Sequence, residues 1–384
     1  MQHTILLSAG GTGGHLFPAQ ALAGELKRRG WRVELATDHR ATHYGGDFPA
    51  ERIHTVPSAT PSSRNPFSIL AALATLAWGL VRSLGMMRRV QPSVVVGFGG
   101  YPTVPPLVAA WLSGIPTVLH EQNAVMGRAN GLLARICGRI ALSFEGTRAH
   151  DRALAKAVLC GNPVRDAVHE AAASPFAAPG PDGPIRLVVF GGSQGARFFS
   201  DLMPDVFACL PGDLRKRLEI VQQCRPEDLA RVTEAYAPLG IHVELAPFFA
   251  DMPHRIAWAH LVISRAGAST IGELTVIGRP SILVPLPGAI DQDQRANGAV
   301  LQQAGGAVML EQGAITPQSF ADTIADLIGD PQTLTEKAAR ARSAGRSDAV
   351  KRLADLVESC AGPRNRTEED GPSGDTTEEK DRRP

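Results

Sequence analysis

Short β-branched apolar runs alternate with helix-spaced segments along almost the whole sequence. Residues 4–7 read as a strand, 16–26 as a helix and 32–37 as a second strand, and strand-like runs return at 93–96, 117–120 and 140–142. A second series follows at 186–190, 218–222, 242–245, 261–264 and 281–284, with helices predicted over 201–210, 226–237 and 252–259. Strand and helix in regular succession predict an α/β fold. Three strands run into glycine loops: Gly10-Gly11-Thr12-Gly13-Gly14, Gly97-Phe98-Gly99-Gly100-Tyr101 and Gly191-Gly192-Ser193-Gln194-Gly195-Ala196-Arg197. Two of these loops begin separate series, which suggests two Rossmann-like halves. The stretch 171–184, rich in Ala, Pro and Gly, reads as a linker, and the boundary between halves is expected near Pro163.

The first loop carries specific chemistry. Glycines let the backbone approach a ligand, and the N–H groups opening the next helix face an anion without intrahelical partners, so a phosphate or diphosphate is the natural guest. The dinucleotide fingerprint G-x-G-x-x-G would want glycine where Leu16 stands, while Asp38 after the second strand keeps that reading open. His15 sits at the mouth of the helix, where it either serves chemistry or merely caps and packs.

One segment, PFSILAALATLAWGLVRSLGMMRRV, raises the question of a membrane. It follows a Pro- and Ser-rich connection at 57–66, and its uninterrupted apolar part, 69–81, is about 13 residues, short of the roughly 18 or more a spanning helix needs. Arg82 argues the same way. Ile69, Leu73, Leu76, Leu80 and Leu84 share one helical face, as in a helix covering a sheet. Phe67, Trp78 and Met86 are left over beside Arg64, Arg82, Arg88 and Arg89, a mixture suited to shallow docking on anionic lipid. Core packing and docking weigh equally from this segment alone.

Composition narrows the choice. The chain has 384 residues and 44% hydrophobic content, ample for two cores. A net charge of +1 argues against a general nucleic-acid binder. Five scattered cysteines without a C-x-x-C pair indicate neither a disulfide framework nor a zinc site and suggest a reducing compartment, and no secretion signal is read before the first strand. The last stretch, 362–384, is mixed charge with Pro, Gly and Thr and is expected to be disordered.

Further polar groups gather at strand ends, where open α/β sheets bind ligands. His120-Glu121-Gln122-Asn123 ends one strand, Gly161-Asn162-Pro163-Val164-Arg165 follows another, and Ala266 to Thr270 form a small-residue turn suited to phosphate. Glu273, in the first turns of the helix after it, is an acceptor able to take bonds from paired ribose hydroxyls. Asp291, Gln292, Asp293, Gln294 and Asn297 offer more hydroxyl-binding groups. Singly, each has a plain structural explanation as a cap or solvated loop. Four decorated strand ends together do not.

In combination, GGTGGHLFPA, GFGGYPTVP, HEQNAVMGRAN, GNPVR, FGGSQGAR, SRAGASTIGEL and PLPGAIDQDQRANG resemble the MurG glycosyltransferase family over nearly the whole chain, from Thr4 to about Val357. The resemblance implies a B-type glycosyltransferase fold: two Rossmann-like domains, 1–163 and 164–344, facing a cleft, with a last helix at about 345–360 crossing back onto the first. It implies donor contacts from Thr12, Gly13, Gly14, Asn123, Arg165, Ser193, Phe249, Ala268, Ser269, Thr270, Ile271, Gly272, Glu273 and Gln294. Here Ser269, Gly272 and Gly288 stand where the family often has Leu, Ser and His. The activity implied is inverting transfer of N-acetylglucosamine from UDP-N-acetylglucosamine (UDP-GlcNAc) to the 4-hydroxyl of N-acetylmuramyl in undecaprenyl-linked lipid I, giving lipid II for peptidoglycan. No metal or other cofactor is implied. His15 is the expected base, its ordinary pKa near 6.5 suiting neutral pH, and Glu121 is the rival. The implied setting is peripheral, on the cytoplasmic face of the bacterial inner membrane, with an anionic membrane surface and cell-wall synthesis and division proteins as partners. A UDP-GlcNAc 2-epimerase of the same fold, an NAD-dependent oxidoreductase using Gly11, Gly13 and Asp38, and a non-catalytic membrane scaffold are the alternatives.

Overall fold

The computed structural model describes residues 3–39, 48–59, 65–192, 195–288 and 291–362. Arg64, Ser193, Gln194, most of the loop expected at 39–47 and the tail beyond Gly362 lie outside them.

Two all-parallel sheets carry the chain. The first contains β1 (Thr4–Ser8), β2 (Arg32–Thr37), β3 (Arg52–Thr55), β4 (Val94–Gly97), β5 (Thr117–Glu121), β6 (Arg139–Leu142) and β7 (Ala157–Leu159), in the order β3-β2-β1-β4-β5-β6-β7. The second contains β8 (Ile185–Phe190), β9 (Leu218–Gln223), β10 (His242–Ala246), β11 (Leu261–Ser264), β12 (Ser281–Leu283) and β13 (Ala307–Met309), in the order β10-β9-β8-β11-β12-β13. Each order reverses once, between β1 and β4 and between β8 and β11, and such switch points open a crevice at the carboxyl ends of the strands.

Period-two side-chain direction explains why the strands are apolar throughout. In β1, Ile5 and Leu7 join one core while Leu6 joins another on the opposite face with Val95 and Leu119. In β8, Leu187 and Val189 face one cluster and Val188 and Phe190 the other. The helix Ala349–Ala361 belongs to the first sheet although it ends the described chain: Leu353, Ala354 and Val357 are buried in the core of Ile5 and Leu7. It is pinned to α1 (Gly13–Arg28) where Arg29 Nη1 reaches Asp355 and Glu358 at 2.6 and 2.7 Å, beside Trp31 donating to Glu358 at 2.6 Å.

The apolar segment forms α2 (Pro66–Val90), 25 residues long, opened by Asn65 accepting from the Phe67 N–H. By length and composition alone, 67–90 would suffice to cross a membrane. It packs along α3 (Val104–Leu112), and only the later part of the face the leucines predict takes part, with Leu80 and Leu84 half-buried against the core. Ala72, Gly79 and Ser83 are buried with Met86 and Met87, while Ile69 and Leu73 are exposed. Small residues decide this: a Cβ on Gly79 would stand 2.2 Å from the Pro57 carbonyl, so the close approach needs glycine. Met86, expected as surplus, is core. Phe67 (82% exposed), Leu70, Leu73, Trp78 and Val81 are left facing outward, and Trp111 and Leu112 at the end of α3 are exposed as well.

Candidate functional site

At the first switch point the two glycine loops lie side by side, the Gly10 N–H donating to the Gly99 carbonyl at 3.1 Å. The His15 ring fills the space between them. A Cβ on Gly10 would come within 3.1 Å of His15 Nδ1, one on Gly99 within 3.4 Å of Cδ2 and one on Gly100 within 3.5 Å of Cε1. Gly99 and Gly100 also hold φ of 90° and 77°, so this loop is shaped around an imidazole. The Thr12 hydroxyl, 3.0 Å from Nδ1, fixes the ring's rotation. α1 begins at Gly13, three residues before the predicted helix, so the last two glycines of the loop are its first N–H donors.

At the second switch point a cavity of about 450 Å³ is lined by both halves of the chain. Gly13, Gly14 and Phe17 of α1 form one wall, and the loop after β8, Gly191, Gly192 and Gly195 to Arg197, forms another. The start of the helix Ala268–Ile277 contributes Ser269, Thr270 and Glu273, and Arg165, Phe249 and Gln294 complete the set. Of its charged lining residues four are arginines, Arg165, Arg197, Arg225 and Arg265, and one is acidic, Glu273. Two helix N-termini and an excess of guanidinium charge make the cavity a receptor for a dense anion such as a diphosphate.

The eight sequence-predicted residues Gly13, Gly14, Arg165, Phe249, Ser269, Thr270, Glu273 and Gln294 therefore meet in one cavity. Glu273 is buried at 8% exposure with Arg165 Nη2 at 3.4 Å from Oε1, and the Arg165 guanidinium lies over the Phe17 ring at 4.1 Å. Burial pushes the Glu273 carboxyl above its ordinary range, and Arg165 opposes that shift. Gln294 accepts from the Leu286 N–H at 3.0 Å, which leaves its amide N–H groups for other partners. Ser269 donates to the Gly14 carbonyl at 3.4 Å, bridging the two halves at the cavity's edge.

Other predicted residues lie outside the lining. The Ile271 side chain is buried in the second sheet's core, the Ala268 carbonyl accepts from Asn162 at 3.1 Å, and Gly272 faces Asn162 and Val164. Asn123 lies at the seam: its Oδ1 accepts from Asn297 at 3.0 Å, and its backbone N–H donates to Glu121 at 2.9 Å. Asn297, read from sequence as a hydroxyl-binding group, is fully buried, bonding Asn123, the Ala124 N–H and the Ala266 carbonyl. Glu121 is buried too, accepting from Asn123, Gly127 and Asn130. A carboxylate so enclosed shapes the loop after β5; burial raises its pKa, and these hydrogen bonds pull it back. His15, by contrast, is half-buried and directly follows Gly13 and Gly14 of the cavity wall.

The sequence matches family models on both sides of this cavity: residues 5–142 the glycosyltransferase family 28 N-terminal domain and 186–353 the C-terminal domain. A protein of Mesorhizobium japonicum named "UDP-N-acetylglucosamine--N-acetylmuramyl-(pentapeptide) pyrophosphoryl-undecaprenol N-acetylglucosamine transferase" is 54% identical over 93% of this chain and 95% of its own. A protein of the same name from Methylorubrum extorquens is 53% identical over 93% of this chain and 97% of its own. The crystal structure of Acinetobacter baumannii MurG aligns with a TM-score of 0.72 at 28% identity, over 93% of this chain and 99% of that one. The chain belongs to the MurG family.

Membership in the MurG family separates it from the alternatives. A UDP-N-acetylglucosamine 2-epimerase structure from Listeria monocytogenes aligns with a TM-score of 0.64 at 13% identity, over 92% of this chain and 95% of that one, a likeness of fold alone. Asp38, on which the dinucleotide reading leaned, is buried and does not line the cavity. The cavity of this MurG-family chain also includes residues that sequence reasoning passed over. Phe17 reads as ordinary helix apolar content, and only the fold brings it under Arg165. Arg265 was visible in SRAGAS; it is buried, donates to the Val284 and Pro285 carbonyls at 3.0 and 3.1 Å and to Gln312 at 2.8 Å, and braces the turn before the helix Ala268–Ile277. Gln223 accepts from the Gly191 N–H at 3.0 Å and holds the loop after β8 in place.

Proposed function

We propose that this chain is an inverting transferase that moves N-acetylglucosamine from UDP-GlcNAc to the 4-hydroxyl of N-acetylmuramyl in lipid I, yielding lipid II and UDP. The observation that carries this reading is the arginine-lined cavity that includes Glu273 and whose wall residues Gly13 and Gly14 directly precede His15. The uridine ribose bonds Glu273, and the diphosphate lies against the helix starts at Gly13 and Ala268 with Arg165 beside it. The acceptor oxygen attacks the anomeric carbon as the bond from that carbon to the diphosphate oxygen breaks. The acceptor's proton passes to His15, and the electron pair leaves with UDP. Charge on the departing diphosphate is met by oriented N–H groups and guanidinium groups already in place.

In this reading residues 1–163 with the last helix form the acceptor side and 164–344 the donor side. The outward row Phe67, Leu70, Leu73, Trp78 and Val81 on α2, followed by Arg82, Arg88 and Arg89, docks on anionic lipid at the cytoplasmic face of the inner membrane. Burying a large apolar side chain fully gains roughly 1.5–3 kcal/mol, and a basic residue near anionic lipid about 1 kcal/mol more. A shallow insertion of this face holds the enzyme at the surface from which an undecaprenyl-linked acceptor projects.

Thermal unfolding with UDP or NAD tests the donor half. UDP at 100 times its Kd should stabilise the fold by about 2.7 kcal/mol and NAD should not. Stabilisation by NAD alone, or consumption of UDP-GlcNAc without any lipid acceptor, would overturn the reading in favour of an oxidoreductase or an epimerase.

A further inference from the structure

A second cavity, of about 340 Å³, lies at the other edge of the second sheet. Arg186, near the start of β8, lines it, whereas Phe190 at the end of the same strand lines the donor cavity. Four steps of strand separate them by roughly 13 Å. Phe176 and Trp258 give the second cavity apolar walls, and Arg186, His254, His260 and Arg279 give it polar ones, with no carboxylate among its lining residues.

Two of these groups differ in how they are satisfied. Arg279, 1% exposed, spends its donors on the carbonyls of Ser174, Ala257, Ile277 and Gly278, tying together two helix ends. Arg186 is not so occupied. Its backbone N–H lies 3.1 Å from His260 Nδ1, and its Nη2 lies 2.9 Å from Nε2 of the same ring. A neutral imidazole has one acceptor nitrogen and one N–H, so it cannot accept from both. The ring is neutral at physiological pH, because burial, then Arg186 and Arg279, push its pKa down to about 4. With Nδ1 accepting from the backbone, Nε2–H faces the guanidinium, donor against donor; the other tautomer only moves the conflict to the backbone N–H. The Arg186 Nε, on the same side of the guanidinium as Nη2, is also buried without an acceptor among the described residues. Glu219, in register with Arg186 on β9, forms no ion pair with it within 4.0 Å among those residues.

An acceptor bearing two or more oxygens would resolve all of this. We propose that the cavity binds an oxyanion, phosphate or carboxylate, carried on a flat apolar body, with its oxygens accepting from Arg186 Nε and Nη2 and from His260 Nε2–H and its body against Phe176 and Trp258. The Arg186 guanidinium carbon lies 5.6 Å from the centre of the Trp258 ring, within cation–π range, and its Nε and Nη2 make a side-on pair of donors. This site is separate from the donor cavity and does not depend on the transferase reading.

The test uses the full chain saturated with UDP, so that the donor cavity is filled, and three probes: inorganic phosphate, phenyl phosphate and benzoate. Calorimetry should detect phenyl phosphate or benzoate binding with UDP present, the tighter of the two naming the headgroup, and phenyl phosphate should bind more tightly than inorganic phosphate. Arg186→Met should weaken the tighter probe at least tenfold. In the wild-type protein, ¹⁵N spectra of the histidine rings should move one resonance, assigned to His260 through its loss in His260→Gln. Absence of binding once UDP is saturating, or equal binding by Arg186→Met, overturns the proposal. Should that variant fail to fold, an unmoved His260 resonance at saturating probe overturns it instead.

Discussion

Replacing Glu273 by Ala isolates the donor-binding role most cleanly. Its carboxylate is buried in the second turn of the helix Ala268–Ile277, and Arg165 at 3.4 Å is too distant for a strong bond, so the pair contributes little to folding. Hydrogen bonds to a charged acceptor contribute about 1.5–3 kcal/mol, which converts to a roughly 10- to 150-fold rise in the Kd for UDP. Calorimetry with UDP measures it directly, and the unfolding midpoint should move little. A pH series adds a second signature. Burial raises the Glu273 pKa in the free protein, so the folded state holds this proton more tightly than the unfolded chain does. The stability this group contributes is then full below the unfolded carboxyl pKa and is lost as pH rises through the folded value. Ribose hydroxyls donate to the ionised form, so Glu273 should add a rise of UDP affinity with pH across the same window, over and above the titration of the UDP terminal phosphate that Glu273→Ala retains. A Kd within twofold of wild type, or a pH profile identical in wild type and variant, would refute the ribose role.

His15→Ala should lower kcat by roughly 10²–10⁴ while the Kd for UDP stays near wild type; equal loss in both would make His15 a positioning residue. Gly100→Ala, at φ 77° with its Cβ 3.5 Å from His15 Cε1, should likewise cut turnover more than donor affinity, read by the same pair of assays. Asn297→Ala leaves the Ala124 N–H, Asn123 Oδ1 and Ala266 carbonyl unpaired at a buried seam and should cost about 1–3 kcal/mol in denaturant unfolding. Arg82, Arg88 and Arg89 changed together to Glu should weaken binding to anionic liposomes and turnover of membrane-embedded acceptor, while a short-chain soluble acceptor is used normally. Liposome binding indifferent to those changes and to salt would locate the docking surface elsewhere.

The sheets were legible because buried parallel strands are written as short continuous apolar runs, and residues 4–7 and 186–190 fall within β1 and β8. Three edge strands, β3, β7 and β13, were missed, while the equally exposed edge strand β10 and the three-residue β12 were read: His242–Ala246 alternates polar and apolar, and β12 lies in a continuous apolar run, whereas β3 and β7 carry neither signal. The face of α2 was misjudged at its N-terminal half for a physical reason. Leucine spacing marks a helix, but Ala72, Gly79 and Ser83 mark where another backbone can come close, so Ile69 and Leu73 turn outward while Leu80 and Leu84 stay half-buried. At the site, residues whose chemistry is local were readable, among them Glu273 and the glycines of the first loop. What sequence could not give was reach across the fold: Phe17 under Arg165, or Asn297 spent on Asn123 and not on a ligand. The glycines after β4 were read only as one of three glycine loops, and only their distance to the His15 ring reveals what they accommodate.

Radiolabelled UDP-GlcNAc incubated with a lipid I analogue measures the proposed reaction itself. The expected result is one UDP released per β-linked disaccharide formed, with no donor consumed when the acceptor is left out and with the label retained on the lipid product. Donor turnover that proceeds without the lipid, or label that never reaches it, would contradict the transferase assignment.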